Sequence, residues 1–212
     1  MALFAFDFDG TLSDSEMTVL LGRQCGVADQ MAAITERAMN DEIDYATSLR
    51  ERAALLDGLE DAKVEAAYDE VRLRPNAAEL LQALGDAGHH VAILTGGFER
   101  GVEAALDREG ASVDSIVANR LPTAEGALTG DVEGPLIEGT KDEALESLAA
   151  DVGVDLADSV AVGDGANDLP MLEVAGLAIG FEPKAAVRPS CAIVVTSMDE
   201  LREELVDRGF LE

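Results

Sequence analysis

Apolar residues come in short runs along this chain, separated by stretches with a helical period. The first run, Leu3-Phe4-Ala5-Phe6, lies almost at the start and leads straight into Asp7 and Asp9. An unbroken apolar run of this length fits a strand buried on both faces, so residues 2–7 are predicted as one. Similar runs predict strands at 91–94 (VAIL), 115–118 (SIVA), 159–162 (SVAV), 177–181 (LAIGF) and 191–195 (CAIVV). Helices are predicted between and after them at 76–87, 98–109, 140–151, 167–174 and 198–207, the first two closed by Gly88 and Gly110. Residues 14–72 carry helical patterning alone, near 16–24, 29–39, 42–56 and 61–72, parted by Gly26, Asn40 and Gly58. Residues 119–137, rich in Gly, Thr and Pro, predict a β-hairpin or two short antiparallel strands.

This order predicts an α/β fold: a Rossmann-like parallel sheet core with helices on both faces. The all-helical block breaks the alternation directly after the first strand and reads as an inserted cap. The expected division is a core of 1–13 and 73–212 with a helical cap of 14–72. A chain of 212 residues suits one such domain with its insert. Ligands of open α/β sheets bind beyond the carboxyl ends of the strands, so the residues after each strand are the candidates for chemistry.

Composition narrows the setting. Apolar residues make up 48% of the chain, yet no stretch approaches a bilayer span. No basic region precedes the first apolar run, and Asp7 comes too early for a signal peptide. These features predict a soluble, cytoplasmic protein. The 43 acidic and 15 basic residues give a net charge of −28, spread along the chain. That argues against nucleic acid or an anionic membrane as partner. With Lys63, Lys141 and Lys184 its only lysines, it predicts adaptation to high salt, which screens the self-repulsion. A merely acidic soluble enzyme is the alternative. Cys25 and Cys191 lie in no ligand-spaced motif and are expected to pack. His89 and His90 fall at the N-terminal end of a strand and receive no role. Oligomeric state is not legible.

The strand ends are where polar residues gather. Asp7 and Asp9 follow the first strand, two apart, so an extended chain would aim both at one site. Thr95-Gly96-Gly97-Phe98 follows the second and is read as opening a helix, whose N-terminal amides make an anion cradle. Gly163-Asp164-Gly165-Ala166-Asn167-Asp168 follows the fourth, and Gly139-Thr140-Lys141 opens a helix. Singly, these read as turns, caps or a solvated lysine. Together they place four carboxylates, a hydroxyl and a lysine on one sheet edge. So much negative charge calls for a hard cation with oxygen ligands, which indicates Mg²⁺, and the set suits a phosphoryl group.

The stretches DFDGT, LTGGF, GTK and GDGANDLPML, in this order and spacing, resemble the four motifs of the haloacid dehalogenase superfamily. The helical insert resembles that superfamily's small C1-type cap. The resemblance implies that Asp7 is the nucleophile, forming an aspartyl-phosphate, and that Asp9 is the general acid and then base. It implies Mg²⁺ held by Asp7, Asp164 and the backbone carbonyl of Asp9. Thr95 and the Gly96 amide would bind phosphoryl oxygens, Lys141 would neutralise charge, Asn167 would contact phosphate, and Asp168 would support the metal and Lys141.

In the cap block, Tyr45, Leu49, Arg52 and Leu56 share one helical stripe. Arg52 in that stripe reads either as a snorkelling surface arginine or as a carboxylate clamp. Glu16 reads either as the end of a Ser13-x-x-Glu16 capping box or as a partner for an ammonium group. These positions are similar to those of the phosphoserine phosphatases. That resemblance implies Glu16 for the substrate's amino group, Arg52 for its carboxylate, and Met39 and Tyr45 as pocket walls. Gly10 and Thr95 stand where that family often has serine. The function implied is hydrolysis of L-phosphoserine in serine biosynthesis. Alternatives are another small phosphomonoester, phosphoryl transfer to an alcohol such as homoserine, or an inactive binding or regulatory protein on the same fold.

Overall fold

The computed structural model describes residues 1–39 and 42–212, without the side chain of Met39. The first strand, β1 (Leu3–Phe6), leads into a helical insert of α1 (Met17–Cys25), α2 (Ala28–Met39), α3 (Tyr45–Ala54) and α4 (Asp61–Tyr68). The chain returns through α5 (Ala77–Asp86), β2 (His90–Phe98), α6 (Glu99–Glu109) and β3 (Ser115–Asn119). A small hairpin follows, β4 (Thr123–Ala124) and β5 (Ala127–Leu128), turned by Glu125 and Gly126 at positive φ. The last elements are α7 (Lys141–Val152), β6 (Ser159–Gly163), α8 (Leu169–Val174), β7 (Leu177–Phe181), β8 (Ile193–Val195) and α9 (Met198–Asp207).

Six strands form one parallel sheet in the order β3-β2-β1-β6-β7-β8. The two-residue period of a strand sorts its side chains into two layers. Phe4, Phe6, Val91, Ile93, Val160 and Val162 point into one, with leucines of α5 and α9. Leu3, Ala5, Ala92, Leu94 and Ala161 point into the other, smaller layer, with Leu145 of α7 and Met171 of α8. Helices therefore cover both faces, as the run-and-period pattern predicts.

The chain leaves the sheet at a turn where Asp9 bridges Ser13 and re-enters where Ser13 pairs with Leu73. Within the insert, α1 packs on α2 and α4, and α2 on α3. Met17, Leu21, Val64 and Tyr68 of the insert join the larger apolar layer. The hairpin ties down the insert, because Gly58 N–H donates to Leu128 O and Leu128 N–H to Leu59 O.

Three expectations need correction. The second strand runs to Phe98, and helix α6 starts only at Glu99. The Gly96-Gly97 pair does not end the strand; it shifts register against β3 between Leu94 and Phe98. Cys25 is exposed at the end of α1, not packed, while Cys191 is half-buried against the smaller layer. Residues 40 and 41, near the expected start of α3, lie outside the described residues.

Candidate active site

Asp7 follows β1 on the face of Leu3 and Ala5 and so leans toward α7. There Lys141, the first residue of α7, is buried at 4% exposure and donates to Asp7 Oδ1 at 2.5 Å and Asp168 Oδ1 at 2.6 Å. Burial alone would lower the Lys141 pKa; Asp168 and Asp7 outweigh it and raise it. This lysine is a buried cation between two carboxylates, not a solvated first-turn residue. Asp7 Oδ2 is buried and has no hydrogen-bond partner among the described residues. Burial, Asp168 and Asp164 push the Asp7 carboxyl up to about 7, against the opposing pull of Lys141.

Asp168 is the organiser of the loop after β6. Its Oδ2 accepts from the N–H groups of Asp164 and Gly165 at 2.9 Å each, and its Oδ1 from Lys141. Asn167 Nδ2 lies 3.4 Å from the same Oδ1. Oxygens of Asp7, Asp164 and Asp168 lie within 4.8 Å of one another. An unsatisfied buried carboxylate oxygen beside a second carboxylate fits a hard cation. Asp7 offers it Oδ2, and Asp164 an oxygen beside the one that pairs with Lys184 at 3.1 Å, whereas both oxygens of Asp168 are engaged. Gly10 backs this cluster at φ +91°; a Cβ there would come within 2.9 Å of the Asp164 carboxylate.

Asp9 reaches the site differently from expectation. The strand ends at Phe6, so strand alternation does not aim Asp9; the turn into the insert does. Its Oδ1 accepts from Met17 N–H at 3.4 Å, and a Cβ on Gly97 would lie 2.6 Å from its Oδ2. Asp9 thus faces the Thr95–Gly97 segment, outside the Asp7–Asp164–Asp168 cluster. Burial, Glu16 and Asp7 raise its pKa well above the usual carboxylate range.

Thr95 is buried, and its hydroxyl accepts from Gly97 N–H at 2.9 Å. The segment is a bulged strand end, not the helix N-terminus expected. Asn119, fully buried at the end of β3, holds it: Nδ2 donates to Gly96 O at 3.1 Å, and Oδ1 accepts from Leu136 N–H at 3.1 Å. Sequence reasoning missed Asn119; a polar residue closing the run SIVAN was the available signal. It also missed Arg74, which donates to Gly10 O at 3.1 Å, pairs with Glu182 at 3.1 Å and lies over Phe181.

The insert supplies the far wall. Tyr45 OH donates to Gly96 O at 3.4 Å. Arg52 donates to Ser48 O at 3.3 Å and to Thr18 Oγ1 at 3.4 Å, and has no carboxylate partner among the described residues. Its neighbour Arg50 does pair, with Glu138. Glu16 is exposed at the N-cap of α1 and makes no side-chain cap, so the capping-box reading fails. The Met39 side chain lies outside the described residues.

Comparison with known proteins gives the family and the fold. A family model described as haloacid dehalogenase-like hydrolase matches residues 4–173. The phosphoserine phosphatase of Halobacterium salinarum is 54% identical over 209 residues, 99% of each chain. A structure of a phospho-aspartyl intermediate analogue of phosphoserine phosphatase superposes with TM-score 0.87 at 37% identity, covering 96% of this chain and 98% of that one. A substrate-bound phosphoserine phosphatase complex gives TM-score 0.87 at 36% identity, covering 96% and 97%.

Proposed function

The chain belongs to the haloacid dehalogenase-like hydrolases, and on that premise we propose that it hydrolyses L-phosphoserine to serine and phosphate with Mg²⁺ as cofactor. The observation that carries this reading is the asymmetry of Asp7. One oxygen is held by buried Lys141; the other is buried and has no partner among the described residues. A nucleophile that must bind a cation and meet phosphorus needs that free valence.

Asp7 and Asp164 would hold Mg²⁺, with the backbone carbonyl of Asp9. When bound, the ion neutralises phosphoryl charge and keeps Asp7 ionised. Asp7 attacks phosphorus in line, forming the Asp7–phosphorus bond as the bond to the serine oxygen breaks. Asp9 gives its proton to that leaving oxygen; burial, Glu16 and Asp7 raise its pKa, which favours the protonated form this step needs. It then takes a proton from the water that attacks the phosphorus, and Asp7 is released with inorganic phosphate. Lys141, Thr95, the Gly96 amide and Asn167 stabilise charge on the phosphoryl oxygens, and Asp168 fixes Lys141.

Substrate choice falls to the insert, read as a cap of residues 14–72. Arg52, with no carboxylate partner among the described residues, takes the substrate's carboxylate as a planar fork. Glu16 takes the ammonium group, and Tyr45 and Met39 wall the pocket. No helix among the described residues is long and apolar enough to cross a membrane; we place the enzyme in the cytoplasm, within serine biosynthesis.

A phosphate-release panel with Mg²⁺, run at low and high salt, tests the reading. Phosphoserine is expected to be preferred clearly over sugar phosphates. Equal rates across the panel would refute the substrate, and no release from any phosphomonoester would refute the activity.

A further inference from the structure

Lys184 is one of only three lysines in the chain and belongs to none of the four motifs. Its ammonium nevertheless sits 3.1 Å from Asp164 Oδ2. Its backbone is fixed there: Lys184 N–H donates to Asp164 O at 2.9 Å, and its carbonyl accepts from Val187 and Arg188. Its side chain is 56% exposed against 13% for Asp164, so it reaches the carboxylate from the solvent side. Gly10 lies close against the Asp164 carboxylate on another side, where a Cβ would come within 2.9 Å of it. The three clustered aspartates therefore face two ammonium groups of opposite character. Lys141 is buried and bound to both of its partners; Lys184 is anchored by its backbone and carries a half-exposed ammonium on one partner.

We propose that Lys184 is a built-in counter-cation for Asp164: it occupies the cation's place on that carboxylate in the metal-free enzyme and must swing out into solvent as Mg²⁺ binds. Ion and ammonium compete for one carboxylate, so the lysine weakens metal affinity. It also keeps the clustered aspartates from repelling one another while the ion is away. The inference rests on the Mg²⁺ reading of the site and not on the identity of the substrate.

Calorimetric titration of the full chain, stripped of divalent ions, with MgCl₂ at fixed ionic strength tests this. Lys184→Met should bind Mg²⁺ tighter by about two- to five-fold, the scale of a partly exposed ion pair. Lys184→Gln should behave likewise, and Lys184→Arg, which keeps the charge, should stay near the wild type. Unchanged or weaker binding in both neutral variants, with circular dichroism showing them folded, would overturn the proposal. So would a wild-type chain that binds no Mg²⁺, which would also remove the metal reading. Tightened binding in a chain that leaves phosphoserine intact would uphold the proposal and sink only the substrate.

Discussion

Asp7 sits where burial, Asp168 and Asp164 oppose its charge and Lys141 favours it, with the balance at about 7. Its folded pKa lies above the unfolded one. Its contribution to stability is therefore present below about pH 4 and lost as pH rises through about 7 in the metal-free protein. Melting curves in a chelator should fall across that window. Mg²⁺ should reverse the fall, because it favours the charged form, and Asp7→Asn should flatten this part of the profile. A profile identical in Asp7→Asn would contradict the assignment. Arg52 is tested by substrate choice. Arg52→Ala should raise KM for phosphoserine on the order of ten-fold or more, as loss of a charge-assisted pair implies. Steady-state kinetics on a phosphomonoester without a carboxylate should change little. Equal losses on both substrates would make Arg52 structural.

At the scale of elements, the bulged end of β2 depends on a neighbour. Asn119 connects Gly96 to Leu136 from a fully buried position. Replacing it by alanine strands those backbone groups and should cost about 1–3 kcal/mol, read by denaturant unfolding. Turnover should fall as well, since the Thr95–Gly97 segment loses its support; unchanged stability and turnover would contradict this. The same segment marks the limit of what the sequence discloses. The strands and the motif residues beyond them were legible because the apolar runs stop at glycine or a polar residue, a local pattern. The continuation of β2 through two glycines was not, because pairing with β3 and the Asn119 side chain hold it from 20-odd residues away. Arg74, Lys184 and the pairing of the 58–59 segment with β5 escaped for the same reason: their partners are remote in the chain. Asp9 was found by its motif, but the turn that aims it was not.

For the whole molecule, 43 acidic residues against 15 basic ones set the terms. Exposed pairs such as Arg100 with Asp61 and Glu65 exist, but such pairs offset little of this excess. Screening lengths fall from about 10 Å at 0.1 M salt to about 3 Å at 1 M. The melting temperature should therefore climb with KCl toward molar concentrations, and a maximum in dilute buffer would refute salt adaptation. Fold and chemistry meet in one place, the sheet edge where β1 delivers Asp7 to Lys141 and its neighbouring carboxylates. Reaction with phosphoserine radiolabelled in the phosphoryl group, in the presence of Mg²⁺, followed by an acid quench and peptide mapping, tests that convergence most directly. The label should be trapped on the peptide carrying Asp7, be released by hydroxylamine and vanish in Asp7→Asn; turnover with no trapped label, or with label on another residue, would contradict it.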